Sequence, residues 1–79
     1  MSREELLAKV NEVIRDVLDN EDLVITEETE ALDVDGWDSL AHITIVATIE
    51  DEFDIKFAMD DVINMKNISQ MIDKISELL

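Results

Sequence analysis

Gly36-Trp37-Asp38-Ser39-Leu40 is the stretch of this 79-residue chain from which its organisation can be worked out. It stands where a segment without a regular apolar period ends and one with a helical period begins. An acidic or hydroxyl side chain at such a boundary caps the free amides of a first turn, so a helix begins at Asp38 or Ser39. Those outward-pointing amides also favour phosphate, which makes Ser39 a natural place for a phosphate group.

The residues before this stretch form one helix and one long loop. Apolar side chains at helical spacing predict a helix from about Arg3 to Leu18. Ser2 and Glu5 have the spacing of a capping box at its start, and Asn20 fits a left-handed cap at its end. Residues 19–37 have no sustained period and are interpreted as a loop, whose length is typical of functional segments.

The residues after the stretch predict three further helices, one of them short. The second helix covers about residues 38–53, although its β-branched content leaves a strand over residues 43–49 as an alternative. A short turn or helix follows around residues 60–65, and Asn67 caps the last helix. The sequence therefore indicates an all-α domain. One face of the second helix carries Leu40, Ile43, Val46, Ala47, Glu50 and Phe53.

Charge and composition exclude several classes of function. The chain has 21 acidic and 6 basic residues, a net charge of −15, and no Lys or Arg from Asp16 to Ile55. Nucleic acid is a poor partner, because neutralising its phosphate backbone requires Lys and Arg. With no cysteine and one histidine, no thiolate or His-pair metal site can form, and no metal is expected. No apolar run approaches the ~20 residues that span a bilayer, and we expect a cytoplasmic monomer.

Two functions other than the one favoured below remain open from the residues alone. His42 lies three residues after Ser39 and could approach it across one turn, as in a small hydrolase. No group is evident that would orient this histidine, so catalysis is not expected and the chain is interpreted as a non-enzyme. The second alternative is an unmodified acidic helical module that docks basic protein surfaces.

The chain resembles the acyl carrier proteins over nearly its whole length. The resemblance rests on Asp38-Ser39-Leu40 at the start of the second helix, on the acidic segment Glu50-Asp51-Glu52-Phe53 at its end, and on the order of the helices. It implies a four-helix bundle in which residues 1–79 form a single acyl carrier domain. It also implies that Ser39 carries a 4′-phosphopantetheine transferred from coenzyme A by a phosphopantetheinyl transferase. The arm's thiol would hold acyl groups as thioesters, which agrees with a chain that lacks cysteine.

The resemblance assigns roles to residues around the serine. Asp38 and Leu40 flank the attachment point. The surface that docks acyl-transferring and acyl-modifying enzymes with basic patches would comprise Asp35, Asp38, Leu40, Glu50 and Asp51. Met59, Met65 and Met71 would fill gaps in the core. The other apolar residues assigned to the core are Leu40, Ile43, Val46, Ile49, Phe53, Ile63, Ile68, Ile72 and Ile75.

Two positions depart from the common form of the family. Carriers of bulk fatty-acid biosynthesis usually have acidic residues two and five positions after the serine, where this chain has Ala41 and Thr44. The start of the second helix is therefore neutral. The sequence looks more like discrete carriers of specialised lipid metabolism, such as polyketide, lipid-tail or surface-polysaccharide acylation.

Overall fold

The computed structural model describes all of residues 1–79 and contains four α-helices. They are α1 (Arg3–Leu18), α2 (Ser39–Phe53), α3 (Met59–Asn64) and α4 (Ile68–Leu78), and a 3-10 turn at Ala31–Asp33 lies in the loop between α1 and α2. The predicted all-α class is confirmed, and the strand alternative for residues 43–49 is wrong because they belong to α2. None of the helices combines the length and apolar composition that crossing a membrane requires.

The helix ends follow local side-chain chemistry. The Ser2 hydroxyl accepts a hydrogen bond from the Glu5 amide at 3.2 Å, and the Glu5 carboxylate accepts one from the Ser2 amide at 3.1 Å. These bonds hold the pKa of Glu5 below its ordinary value, chiefly through the Ser2 backbone amide. The left-handed cap of α1 is Asp19 (φ 53°) and not Asn20, because the Asp19 amide already donates to the carbonyls of Arg15 and Asp16 at the end of the helix.

A single apolar cluster holds the helices together. α1 packs against both α2 and α4. Every buried residue is hydrophobic, so no buried polar side chain has to be matched with a partner. The cluster contains Leu6, Val10, Val13, Ile14, Ile25, Trp37, Ile45, Val46, Ile49, Ile55, Met65, Ile68, Met71, Ile72 and Ile75.

The face of α2 that enters the core differs from the predicted one. Leu40 is 73% exposed and Ile43 is 61% exposed, whereas Ile45 and Ile49 are fully buried. The core assignments of Leu40, Ile43 and Ile63 (64% exposed) are therefore wrong, as is that of Met59. The physical reason is that α2 is apolar around most of its circumference, so spacing alone could not choose the arc that faces α1.

The middle of the loop between α1 and α2 is attached to the bundle. The Asn11 side chain accepts a hydrogen bond from the Ile25 amide at 3.3 Å, and Ile25 is buried. The Arg3 guanidinium binds the carboxylates of Glu27 in the loop and Asp73 in α4, at 2.5 and 2.6 Å. The loop is therefore an ordered part of the fold that reaches Ser39 from a fixed direction.

Backbone hydrogen bonds join the same loop to the start of α4. The Ile68 amide donates to the Thr29 carbonyl at 3.0 Å, and the Ser69 amide donates to the Glu27 carbonyl at 2.9 Å. The Ala31 amide donates in return to the Lys66 carbonyl at 2.9 Å. Loop carbonyls thus satisfy amides that the first turn of a helix leaves without an internal partner.

Candidate functional site

The site is built at the first turn of α2. Gly36 (φ +85°) makes the left-handed turn that a side chain would strain, and the chain then enters the helix. The Asp38 carboxylate accepts from the Ala41 amide at 2.8 Å, so its predicted role as helix cap is confirmed. The amides of Ser39 and Leu40 have no acceptor in the protein. Two free donors therefore flank the serine.

The Ser39 side chain is available for modification. It is exposed, and its hydroxyl takes part in no hydrogen bond within the protein. From Ser39 to Ile49 the helix carries no Asp, Glu, Lys or Arg. A phosphate ester on this oxygen would meet the free amides and the positive end of the α2 dipole, while Asp35 and Asp38 supply negative charge on the loop side.

His42 is not positioned to activate the serine. Its Nδ1 accepts a hydrogen bond from the Trp37 indole Nε1 at 3.1 Å, and its Nε2 lies 3.0 Å from the Val62 carbonyl oxygen. Both ring nitrogens are therefore engaged, and neither bonds to Ser39. The hydrolase alternative fails on this geometry, because a serine nucleophile needs a base within hydrogen-bond reach. Trp37 is 8% exposed and anchors the loop.

Four exposed apolar side chains lie on α2 and α3. Leu40 and Ile43 belong to α2, and Met59 (75% exposed) and Ile63 belong to α3. The contact between His42 and the Val62 carbonyl brings α3 against the first turn of α2, next to Ile43. We call these four residues the apolar patch. The sequence analysis placed all four in the core, and of them it assigned only Leu40 to the docking surface as well. An α2 that is apolar on more than one side signals that some apolar residues stay exposed.

The proposed docking residues fall into two separate groups. Asp35, Asp38 and Leu40 lie at the start of α2, whereas Glu50 and Asp51 lie near its end, about 18 Å away at 1.5 Å per residue. Glu50 is half-buried and its carboxylate accepts from the Phe57 amide at 2.8 Å. Asp51 is exposed and forms no ion pair. Of these two acids, Asp51 is thus the one whose charge is fully presented to a partner.

Known proteins share both this fold and this sequence pattern. The family described as the phosphopantetheine attachment site matches residues 8–75. An acyl carrier protein of Thermotoga maritima is 31% identical over 78 residues, which cover 99% of this chain and 96% of that protein. An acyl carrier protein of Exiguobacterium sibiricum is 32% identical over 75 residues, which cover 95% of each chain.

A solved structure agrees with the sequence comparison. The holo acyl carrier protein of Geobacter metallireducens superimposes with a TM-score of 0.84 at 33% identity, and the match covers 91% of this chain and 83% of that one. The four helices, the exposed serine at the start of α2 and the family match across most of the chain lead to one assignment. This chain belongs to the acyl carrier proteins, whose cofactor is a covalently attached phosphopantetheine.

Proposed function

We propose that Ser39 carries the 4′-phosphopantetheine and that the protein shuttles acyl groups between the enzymes of a biosynthetic pathway. The observation that carries this proposal is the exposed Ser39 hydroxyl, free of internal hydrogen bonds, beside two unpaired amides at the positive end of α2. The rest of the first turn supports the assignment, because Asp38 caps the helix and leaves the serine oxygen pointing to solvent.

Attachment is a transfer from coenzyme A that a separate transferase catalyses. The Ser39 oxygen forms a new bond to the phosphorus that bears the pantetheine, and the pyrophosphate P–O bond of coenzyme A breaks. Adenosine 3′,5′-bisphosphate departs, and the serine proton goes to a base of the transferase. The group supplies a terminal thiol, which holds an acyl chain as a thioester. The chain's own residues contribute the amides of Ser39 and Leu40 near the phosphate, and they supply no general base, since His42 is engaged elsewhere. The protein is therefore a carrier and not a catalyst.

Partner enzymes bind, in this proposal, through charge and apolar contact together. Asp35 and Asp38 steer a basic surface towards the serine, and Asp51 with the partly engaged Glu50 adds charge at the far end of α2. Electrostatic steering raises association rates more than affinity, which suits a carrier that must also leave. The apolar patch then supplies apolar contact on α2 and α3, with Leu40 directly after the serine.

The pathway we favour is a specialised one rather than bulk fatty-acid synthesis. Ala41 and Thr44 leave the first turns of α2 neutral, and the Thr44 hydroxyl donates to the Leu40 carbonyl at 3.0 Å within the same helix. A partner that reads this face therefore meets apolar and uncharged side chains. We further infer that residues 1–79 act as one carrier domain and that they do so in the cytoplasm.

The decisive experiment is intact-protein mass spectrometry after incubation with coenzyme A and a broad-specificity phosphopantetheinyl transferase. The wild-type chain should gain one phosphopantetheine group, and Ser39→Ala should gain none while keeping its helical circular dichroism. Ser76→Ala is the matched control, because Ser76 is another exposed helical serine and lies outside the site. It should be modified as the wild type is.

The result can also go against the proposal. Modification of Ser39→Ala would place the arm on another residue. A folded wild-type chain that gains no mass with several transferases would favour the unmodified acidic docking module instead.

A further inference from the structure

The side chain of His42 joins the two segments that flank the serine. Trp37, two residues before Ser39, donates its indole N–H to Nδ1 at 3.1 Å. Val62 of α3 presents its carbonyl oxygen 3.0 Å from Nε2. His42 itself lies in the first turns of α2, so one imidazole connects the loop, α2 and α3. We call this set of contacts the histidine bridge.

The chemistry of the two partners fixes the state of the imidazole. An indole N–H is only a donor and a carbonyl oxygen is only an acceptor. Nδ1 must therefore lack a proton and Nε2 must carry one, which describes a single neutral tautomer. Adding a proton to Nδ1 removes the acceptor of the Trp37 N–H, while the bond from Nε2 to the Val62 carbonyl can remain.

The bridge is one of few constraints on the loop immediately before Ser39. Trp37 is the only buried residue between Ile25 and Ser39, and its ring lies 6.0 Å from the His42 ring. Gly36 has open space around it and no side chain to pack. Loss of the indole bond would therefore leave the loop held at this end by apolar contact and by the Asp38 cap.

The charged groups around the bridge are carboxylates with their own partners or exposed to water. On α2, Asp38 is engaged by the Ala41 amide. On α3, Asp61 precedes Val62, accepts from the Ala58 amide at 3.1 Å and pairs with Lys74 of α4 at 3.3 Å. On the loop, Asp35 is exposed. Of the side-chain types in this set, imidazole is the one that ordinarily changes charge near neutral pH.

We propose that His42 is a positioning residue that, in its neutral Nε2–H tautomer, holds the loop and α3 in register around Ser39, and that its protonation releases the loop. The release of the loop is argued from the geometry alone. Its effect on the attachment of phosphopantetheine to Ser39, which we call loading, rests on the proposed function. Releasing one hydrogen bond of ordinary strength changes the ratio of docked to undocked loop by roughly 2- to 10-fold.

The test follows the bridge by nuclear magnetic resonance of the full chain between pH 5 and 8. Nitrogen-15 shifts of the imidazole should identify the Nε2–H tautomer at the upper end of this range. The indole N–H resonance of Trp37, the only tryptophan, should move in step with the titration of His42. A predominant Nδ1–H tautomer, or an indole resonance indifferent to the titration, would overturn the proposal.

Two variants separate the bridge from simple packing. His42→Gln keeps an acceptor and a donor but cannot titrate, so its indole resonance should be constant from pH 5 to 8. Trp37→Phe keeps a buried ring but removes the donor, so the preference for one tautomer should weaken. If His42→Gln does not fold, the tautomer in Trp37→Phe still decides, and an unchanged preference there contradicts the bridge.

The pH dependence of the rate of phosphopantetheinylation gives a functional test. A residue with a purely structural role would leave this pH dependence unchanged. The ratio of kcat/KM for phosphopantetheinylation of wild type over His42→Gln should fall from pH 7.5 to pH 5.5, by at most roughly 10-fold, because one hydrogen bond changes the loop equilibrium by no more than that. Taking the ratio cancels the transferase's own pH dependence. A constant ratio would refute the effect on loading. If Ser39 is never modified, the proposed function fails, and the resonance experiment still decides whether the bridge exists.

Discussion

Ile43 and Ile45 stand two positions apart in α2, and one is exposed while the other is fully buried. Both are β-branched, and both fit an apolar helical period, so residue type does not distinguish them. Their exposure differs because only one side of α2 faces α1. Which side does so depends on contacts between the helices. Spacing predicted the helix, and residue type predicted the cap at its start, but neither predicted the exposure of Leu40, Ile43 or Ile63. Leu40 and Ile43 lie in the first turns of α2 with Ser39, where a departure from simple core patterning is expected.

The two isoleucines provide a matched test of this arrangement. Ile45→Ala should lower the free energy of unfolding by about 2–5 kcal/mol, because it opens a cavity in the core. Ile43→Ala should change it by less than about 0.5 kcal/mol, as exposed substitutions usually do. Urea denaturation followed by circular dichroism measures both. If Ile45→Ala proves too unstable, Ile45→Val should lose about 0.5–1.5 kcal/mol. Equal losses for the two alanine variants would contradict the assigned face of α2.

At the level of elements, the first turn of α4 depends on both its own sequence and the distant loop. The Asn67 side chain accepts from the Gln70 amide at 2.8 Å, and this cap could be predicted from the sequence. The carbonyls of Glu27 and Thr29 also bind amides of this turn, and this could not be predicted. Side-chain caps leave a signature in residue type, whereas backbone bonds between distant segments leave none.

Asn67 and Asn64 allow the cap to be tested within one chain. Asn67→Ala should lower the free energy of unfolding by about 1 kcal/mol, because an amide of the first turn loses its acceptor. Asn64→Ala should have little effect, since Asn64 is exposed at the end of α3 and its side chain makes no hydrogen bond. Thermal melts at matched pH and ionic strength give the comparison. A loss for Asn64→Ala as large as that for Asn67→Ala would show that the cap is not responsible.

For the whole molecule, the few basic residues mostly join elements together. Arg3 links α1 to the loop and α4, Lys9 pairs with Glu52 of α2 at 3.5 Å, and Lys74 links α4 to Asp61 of α3. The pairing with Asp61 raises the pKa of Lys74 above its ordinary value. The surplus of acids on the loop and α2 is left without neutralising partners. The charge imbalance was evident from composition, but which elements the basic residues join required the structure.

This imbalance predicts how the protein responds to salt. Raising sodium chloride from 20 to 300 mM should raise Tm, because a net charge of −15 repels itself and ions screen that repulsion. The opposing loss is small, since exposed ion pairs contribute only about 0–1 kcal/mol each. The same salt should slow phosphopantetheinylation if acids steer the transferase. Differential scanning calorimetry gives Tm, and a Tm that stays constant or falls with salt would contradict self-repulsion.

The bonds between the loop and α4 also limit how this sequence can change length over evolution. One residue inserted between Glu27 and Ala31 would shift the loop carbonyls out of register with the amides of Ile68 and Ser69, and these hydrogen bonds would be lost. The exposed turn at residues 20–22 makes only local hydrogen bonds, so it can absorb extra residues. Insertions in descendants of this chain should therefore accumulate directly after α1, at a distance along the chain from Ser39.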